Sequence, residues 1–222
     1  MQRVPEPELM DEFEQARAYA EADFSEPNER FVSLLRTEFP ALASGAVLDL
    51  GCGPGDIAMR LAAGLPQLVV HGLDGSAAML DCARRELARR PGLERRVSFI
   101  EGMLPGCRLP LATYDAVISN SLLHHLHDPM VLWHSVRELG RPGAPVLIMD
   151  LFRPSDVQAA RGIVRQYAAD EPEVLQRDFY NSLLAAFEPG EVREQLRAAA
   201  LGTLEVRTVS DRHLVVAGYL PE

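Results

Sequence analysis

Val47-Leu48-Asp49-Leu50-Gly51-Cys52-Gly53-Pro54-Gly55-Asp56 decides the reading of this chain. A short apolar run ends at an acid and passes through glycines at 51, 53 and 55 before a helical pattern opens. Such a strand, turn and helix entry sets backbone against a ligand, because glycine adopts dihedrals and allows close approaches that a Cβ forbids. The spacing is G-x-G-x-G. A dinucleotide fingerprint asks for G-x-G-x-x-G, with a small residue where Asp56 stands so that the helix closes on the strand. An aspartate fits poorly beside a pyrophosphate, and it suits the N-cap of the following helix.

Outward from that turn, strand-like and helix-like runs alternate, which predicts an α/β protein with a mainly parallel sheet. The first strand is expected over 46–50, a helix over 56–63, and a second strand over 68–73 that ends at Asp74. Ser76 is placed to cap a helix whose Met79, Leu80, Ala83 and Leu87 recur at helical spacing. Strands follow over 97–100, 114–119 and 145–149. Asp128-Pro129 predicts an N-cap and first turn for a helix through 133–139, stopped by Gly140-Arg141-Pro142-Gly143. Beyond residue 153 the pattern changes to helices over 155–169, 173–187 and 191–201, the last stopped by Gly202. A strand pair over 204–209 and 213–219 closes the sequence.

Composition narrows the chemistry. The 222 residues suit one domain, and 47% hydrophobic content supports a sizeable core. The net charge is −10 and every strong base is arginine, since the chain has no lysine. That excludes a P-loop lysine, a Schiff-base lysine and a pyridoxal phosphate anchor. An acidic balance also argues against nucleic acid, which needs a basic face. The arginines between Arg84 and Arg96 are interrupted by Glu86 and Glu94 and read as a solvated helix face. Cys52, Cys82 and Cys107 are widely spaced without a C-x-x-C, so reduced thiols and a cytoplasmic location are expected. No secretory signal and no apolar run of membrane-spanning length is apparent.

Asp49-Leu50-Gly51-Cys52-Gly53-Pro54-Gly55 resembles the glycine-rich first motif of class I S-adenosylmethionine-dependent methyltransferases. The resemblance runs over about residues 45–153. It implies a Rossmann-like, seven-stranded, mostly parallel sheet with an antiparallel last strand, helices on both faces and a helical lid. The single domain 1–222 would then divide into a helical cap over 1–40, a cofactor-binding core over 45–153, a lid over 155–201 and a terminal strand pair over 203–219. It also implies S-adenosylmethionine as methyl donor, with S-adenosylhomocysteine as product. The cofactor residues carried over are Asp49, Gly51, Cys52, Gly53, Asp74, Gly75, Met79, Met103, Leu104 and Asn120. Asp74 ends the second strand, where a carboxylate can accept hydrogen bonds from both ribose hydroxyls. After the third strand the family often shows Gly-Asp. Here Gly102-Met103 stands in its place, and the Met103 side chain is a poor acceptor for an adenine amino group. Backbone at Met103 and Leu104 would read the adenine edge instead.

Ser119-Asn120-Ser121-Leu122-Leu123-His124-His125-Leu126-His127-Asp128-Pro129 resembles the S-x-x-L-H-H-L-x-D-P stretch of the small-molecule branch, such as ubiquinone and menaquinone methyltransferases. That implies His125 first, and His124 second, as a base facing the transferred methyl. Three close histidines also invite a metal, but no further donor is identifiable in sequence and none is assigned. The (D/N)-P-P-(Y/F/W) signature of DNA amino-methyltransferases is missing at this position, which favours a small-molecule acceptor. Tyr19, Asp150, Arg153 and Tyr180 are the acceptor candidates, with Asp23, Phe24 and Asn181 beside them. The planar fork of Arg153 could hold a carboxylate or phosphate. The rival functions are a nicotinamide-dependent oxidoreductase and a non-catalytic cofactor-binding module. The oligomeric state stays open, a homodimer included.

Overall fold

The computed structural model describes residues 1–6 and 13–222. Its centre is a seven-stranded sheet built from β1 (Ser44–Leu50), β2 (Gln67–Asp74), β3 (Val97–Glu101), β4 (Ala116–Asn120), β5 (Pro145–Leu151), β6 (Glu205–Thr208) and β7 (His213–Tyr219). The strand order is β3-β2-β1-β4-β5-β7-β6, and β7 runs antiparallel to both of its neighbours. The expected architecture is therefore present, and β7 lies between β5 and β6.

The central strands read as continuous apolar runs because both of their faces are covered. Alternate residues go to opposite sides. Leu48, Val117, Val146, Ile148, Leu214 and Val216 enter one core with Trp133 of α5 (Met130–Leu139) and Leu196 of α8 (Pro189–Ala198). Val47, Ile118, Leu147, Met149 and Val215 enter the other, with Phe31 of α2 (Ser25–Glu38) and Leu61 of α3 (Asp56–Gly64). Trp133 is wholly buried and its Nε1 donates to Gln195 Oε1 at 2.9 Å, so α5 and α8 are tied by more than apolar area. A third, smaller core joins Leu151 to Ala160 and Val164 of α6 (Val157–Tyr167) and Leu183 of α7 (Glu173–Ala185).

Several element boundaries depart from expectation, and four of the departures have a clear local reason. Gly55 turns into α3 with φ +78°, so Asp56 is the first helical residue rather than the N-cap. From there its carboxylate meets Asn28 Nδ2 at 2.9 Å and Arg60 Nε at 2.5 Å. Strand β4 begins at 116, since the Asp115 carboxylate takes the Ala46 N–H (2.7 Å). Asp128 caps Met130 N–H at 2.9 Å, which puts the start of α5 one residue beyond Pro129. At the end of α8 it is Ala200, at φ +58°, that breaks the helix, with Leu201 N–H returning to Leu196 O at 2.8 Å as in a Schellman motif. The Ser76 cap is as expected and accepts Met79 N–H at 3.2 Å; it opens α4 (Ala77–Leu87).

Candidate active site

The strand order reverses direction between β1 and β4, and a cleft of about 610 Å³ opens beyond the carboxyl ends of the strands there. The glycine turn forms its floor. Gly51, Gly53 and Gly55 all take positive φ (+68°, +51° and +78°). Gly51 and Cys52 donate to Leu73 O at 2.8 and 3.0 Å, which fastens the turn to the end of β2. A Cβ on Gly55 would sit 2.3 Å from the Phe99 ring, whereas one on Gly53 would meet nothing within 4 Å. Gly55 is thus required by packing, and Gly53 by conformation, its open side giving onto the cleft.

All ten residues expected to hold the cofactor line this cleft: Asp49, Gly51, Cys52, Gly53, Asp74, Gly75, Met79, Met103, Leu104 and Asn120. The Asp74 carboxylate is fixed in advance, one oxygen accepting Gly53 N–H and the other Ser76 N–H, both at 2.8 Å. Each oxygen retains lone-pair capacity for a ligand hydroxyl. Asp49 Oδ2 and Asn120 Oδ1 are buried and, among the described residues, have no hydrogen-bond partner. Burial, then the nearby Asp74 charge, pushes the Asp49 carboxyl up to about 8. Two orphaned buried acceptors and an unfilled glycine face suit a cationic, hydrogen-bonding ligand. Burial also pushes the Cys52 thiol well up, with Asp49 and Asp74 adding to it, which removes it as a thiolate nucleophile.

At the other end, Tyr19 of α1 (Phe13–Glu21) and Phe24 overhang the cleft, their rings 4.6 Å apart. Burial, with Asp150 and Asp74 beyond it, pushes the Tyr19 phenol up to about 12, so it stays neutral and can donate. His125 also lines the cleft. His124 does not; its ring, tilted 35° to that of His125 with the centroids 4.2 Å apart, is buried against Asp150. His124 Nδ1 meets Asp150 Oδ1 at 2.6 Å, while Asp150 Oδ2 accepts Leu123 N–H at 2.7 Å. Burial opposes the charge on His124, but Asp150 and then Glu6 outweigh it and raise its pKa.

Glu6 and Arg3 were not legible as site residues. Glu6 Oε1 lies 3.2 Å from His125 Nδ1 and 3.6 Å from His124 Nε2, and accepts Ser182 Oγ at 3.0 Å. Arg3 donates to the carbonyls of His124 (3.0 Å) and Leu126 (2.9 Å). Neither has a sequence pattern around it, because its partners lie more than a hundred positions away. Among the described residues, Glu6, His124 and His125 also bring three metal-capable donor atoms within 4.8 Å of one another.

The remaining acceptor candidates lie elsewhere. Asp150 is under the histidine turn. Arg153 is buried, donating to Ala186 O, Glu188 and Glu191 at 3.0–3.1 Å. Tyr180 faces a separate groove with Arg161, Arg165 and Arg177. No residue of 155–201 lines the main cleft, whose cover comes from α1 and α2. The arginines of α4 and the turn after it are also more than a solvated face: Arg85, Arg89 and Arg90 line the cleft.

A switch-point cleft, a G-x-G-x-G floor and an acid at the end of β2 define the class I S-adenosylmethionine-dependent methyltransferase type of domain. Comparison with known proteins agrees: residues 47–143 match the family model described as a methyltransferase domain, and the chain carries that domain. An uncharacterized methyltransferase of Mycobacterium bovis is 31% identical over 128 residues, 58% of this chain and 61% of that protein. The chain thus matches about six-tenths of the length of such a relative. A structure of a SAM-dependent methyltransferase from Aquifex aeolicus superposes with TM-score 0.69 at 18% identity, covering 94% of this chain and all of that one (100%). The cyclase SpnF superposes with TM-score 0.72 at 14% identity, covering 99% and 98%. At such identities the superpositions establish the fold, not the reaction. No helix among the described residues is long and apolar enough to cross a membrane.

Proposed function

We propose that this chain transfers the methyl group of S-adenosylmethionine to a small-molecule acceptor. The observation that carries the reading is the pairing, in one cleft, of the prefixed Asp74 carboxylate with the buried, orphaned oxygens of Asp49 and Asn120. Asp74 would take the ribose hydroxyls, Met103 and Leu104 the adenine, and Asp49 and Asn120 the methionine end with its ammonium charge. When bound, the cofactor supplies an activated methyl on a sulfonium, with a leaving group that needs no acid.

The chain's own residues then contribute alignment and dryness. Phe24 and Tyr19 wall the acceptor end, and proximity alone can account for several kcal/mol of barrier. His125 is the base that removes the acceptor's proton, where the nucleophile has one to lose. Tyr19, a neutral phenol, is the hydrogen-bond donor that orients the acceptor. His124, Asp150 and Arg153 support the site from behind, and Tyr180 belongs to another surface. Three free, widely spaced cysteines support a reducing compartment, the cytoplasm.

The test is release of S-adenosylhomocysteine from S-adenosylmethionine, followed with a panel of low-mass phenols, carboxylic acids, amines and thiols. Acceptor-dependent release that falls in His125→Ala supports the reading. A fold that binds the cofactor but releases no product with any panel member favours a non-methylating use of the site.

A further inference from the structure

The segment ahead of the sheet carries a carboxylate that the family motifs do not include. Glu6 is about 10% exposed, held by Ser182 Oγ from α7, and its oxygen stands between the two histidines of the turn. The backbone around it is fixed as well. His127 Nε2 meets Glu6 O at 2.9 Å, Val4 N–H donates to Leu184 O at 3.0 Å, and the Arg3 guanidinium lies 3.9 Å over the Phe187 ring. Arg3 also binds the carbonyls on either side of His125, so one short segment grips both backbone and ring of the turn.

The charges explain why a second carboxylate is needed. Burial disfavours the charged form of His124, while Asp150 and Glu6 favour it, and Asp150 at 2.6 Å is the nearer of the two carboxylates. Glu6 then supplies the negative charge that His125 would need on becoming an imidazolium. With both imidazoles protonated, Asp150, His124, Glu6 and His125 would sum to neutrality, which suits a buried cluster. Burial raises the Glu6 carboxyl pKa, His124 and the Ser182 hydrogen bond oppose that, and Asp178 of α7 and Asp150 add to it; Arg3 is the further charged group that acts on Glu6.

We propose that Glu6 is the positioning residue of the proton acceptor. Its carboxylate holds His125 with the proton on Nδ1, so that a proton taken from the methyl acceptor enters at Nε2. The present 3.2 Å approach is an ion-pair contact rather than a linear hydrogen bond, and acceptor-bound geometry would tighten it. The logic is that of any carboxylate behind a histidine base: it selects the tautomer, orients the ring and stabilises the imidazolium. The inference deepens the methyl-transfer reading above and rests on it for what the base is used on.

The test reads His125 directly and requires no knowledge of the acceptor. Long-range 1H–15N spectra of the imidazoles are recorded on the full chain, saturated with S-adenosylhomocysteine and dialysed against EDTA, across pH 5–9. We expect neutral His125 to carry its proton on Nδ1. In Glu6→Gln its titration midpoint should fall by about 1 pH unit, the scale of losing an opposite charge within 4–6 Å, and Glu6→Asp should restore part of the shift. If Glu6→Gln does not fold, Ser182→Ala, which frees Glu6 from α7, should shift the midpoint in the same direction by less. An Nε2–H tautomer in the parent protein, or one midpoint shared by parent and variants, would overturn the proposal. So would a His125 Nδ1 resonance that EDTA changes, since the nitrogen would then be a metal ligand. Failure of the methyltransferase reading is separate: it would appear as no saturation by S-adenosylhomocysteine.

Discussion

The two ends of the cleft are built in opposite ways. The cofactor end is local: Gly51 to Gly55, Asp74 and Asn120 each follow directly from a strand, and their positions come with the sheet register. The opposite end, which we propose takes the acceptor, is assembled from distant pieces, with Glu6 and Tyr19 from the amino-terminal segments, His125 from the turn after β4, and Asp150 and Ser182 behind. A donor shared by a whole family can be recognised by strand ends. An acceptor particular to one chain is recognised by whatever covers them.

Substitutions at the two ends should separate accordingly. The largest effect is expected from His125→Ala, which should lower methyl-transfer rate by about 10²–10⁴-fold while leaving affinity for S-adenosylhomocysteine, measured calorimetrically, within about twofold. Next, Asp74→Ala should weaken S-adenosylhomocysteine by about 100-fold, the loss of charged hydrogen bonds to two hydroxyls. Unchanged affinity there would remove Asp74 from the ribose. Arg153→Ala should cost about 2 kcal/mol in a urea titration, a reduced penalty because Glu188 and Glu191 are each partly exposed. Cofactor affinity should stay at the parent level, and a large loss would bring Arg153 back as a ligand residue.

The most diagnostic effect concerns Asp49. Its folded-state pKa of about 8 exceeds the unfolded value of 3.8, so the unliganded fold holds a proton over that interval that the unfolded chain releases. Stability should therefore fall as pH rises from about 4 to about 8. Asp49→Asn should flatten that slope and raise the unliganded melting temperature at pH 9 relative to the parent. A cationic ligand favours the ionised carboxylate, so parent affinity for S-adenosylmethionine should rise with pH through the same window. In Asp49→Asn that rise should disappear.

What was legible in the sequence follows the same division. The buried runs of β1, β4 and β5 carried the architecture, and the glycines after β1 with the Asp74 that ends β2 pointed to the cleft, because local pattern and tertiary role coincide there. Arg153 and Asp150 looked like site residues since they follow β5. Their charges are instead consumed by partners, the partly exposed Glu188 and Glu191 and the buried His124, that no spacing rule relates to them. The expected lid over 155–201 failed to line the cleft for a similar reason. Its apolar stripe packs on Leu151, and among the described residues it is the amino-terminal helices, not 155–201, that line the cleft beside the glycine turn. Glu6 was silent because a single acid in an acidic amino-terminal stretch has no periodicity to reveal what it meets.

The central claim is that the glycine turn and Asp74 form an S-adenosylmethionine site. Calorimetric titration of the full chain with S-adenosylhomocysteine and, separately, with NAD tests it most directly. The account predicts one S-adenosylhomocysteine per chain, abolished or strongly weakened by Asp74→Ala, and no heat from NAD. Saturable binding of NAD with none of S-adenosylhomocysteine would contradict it.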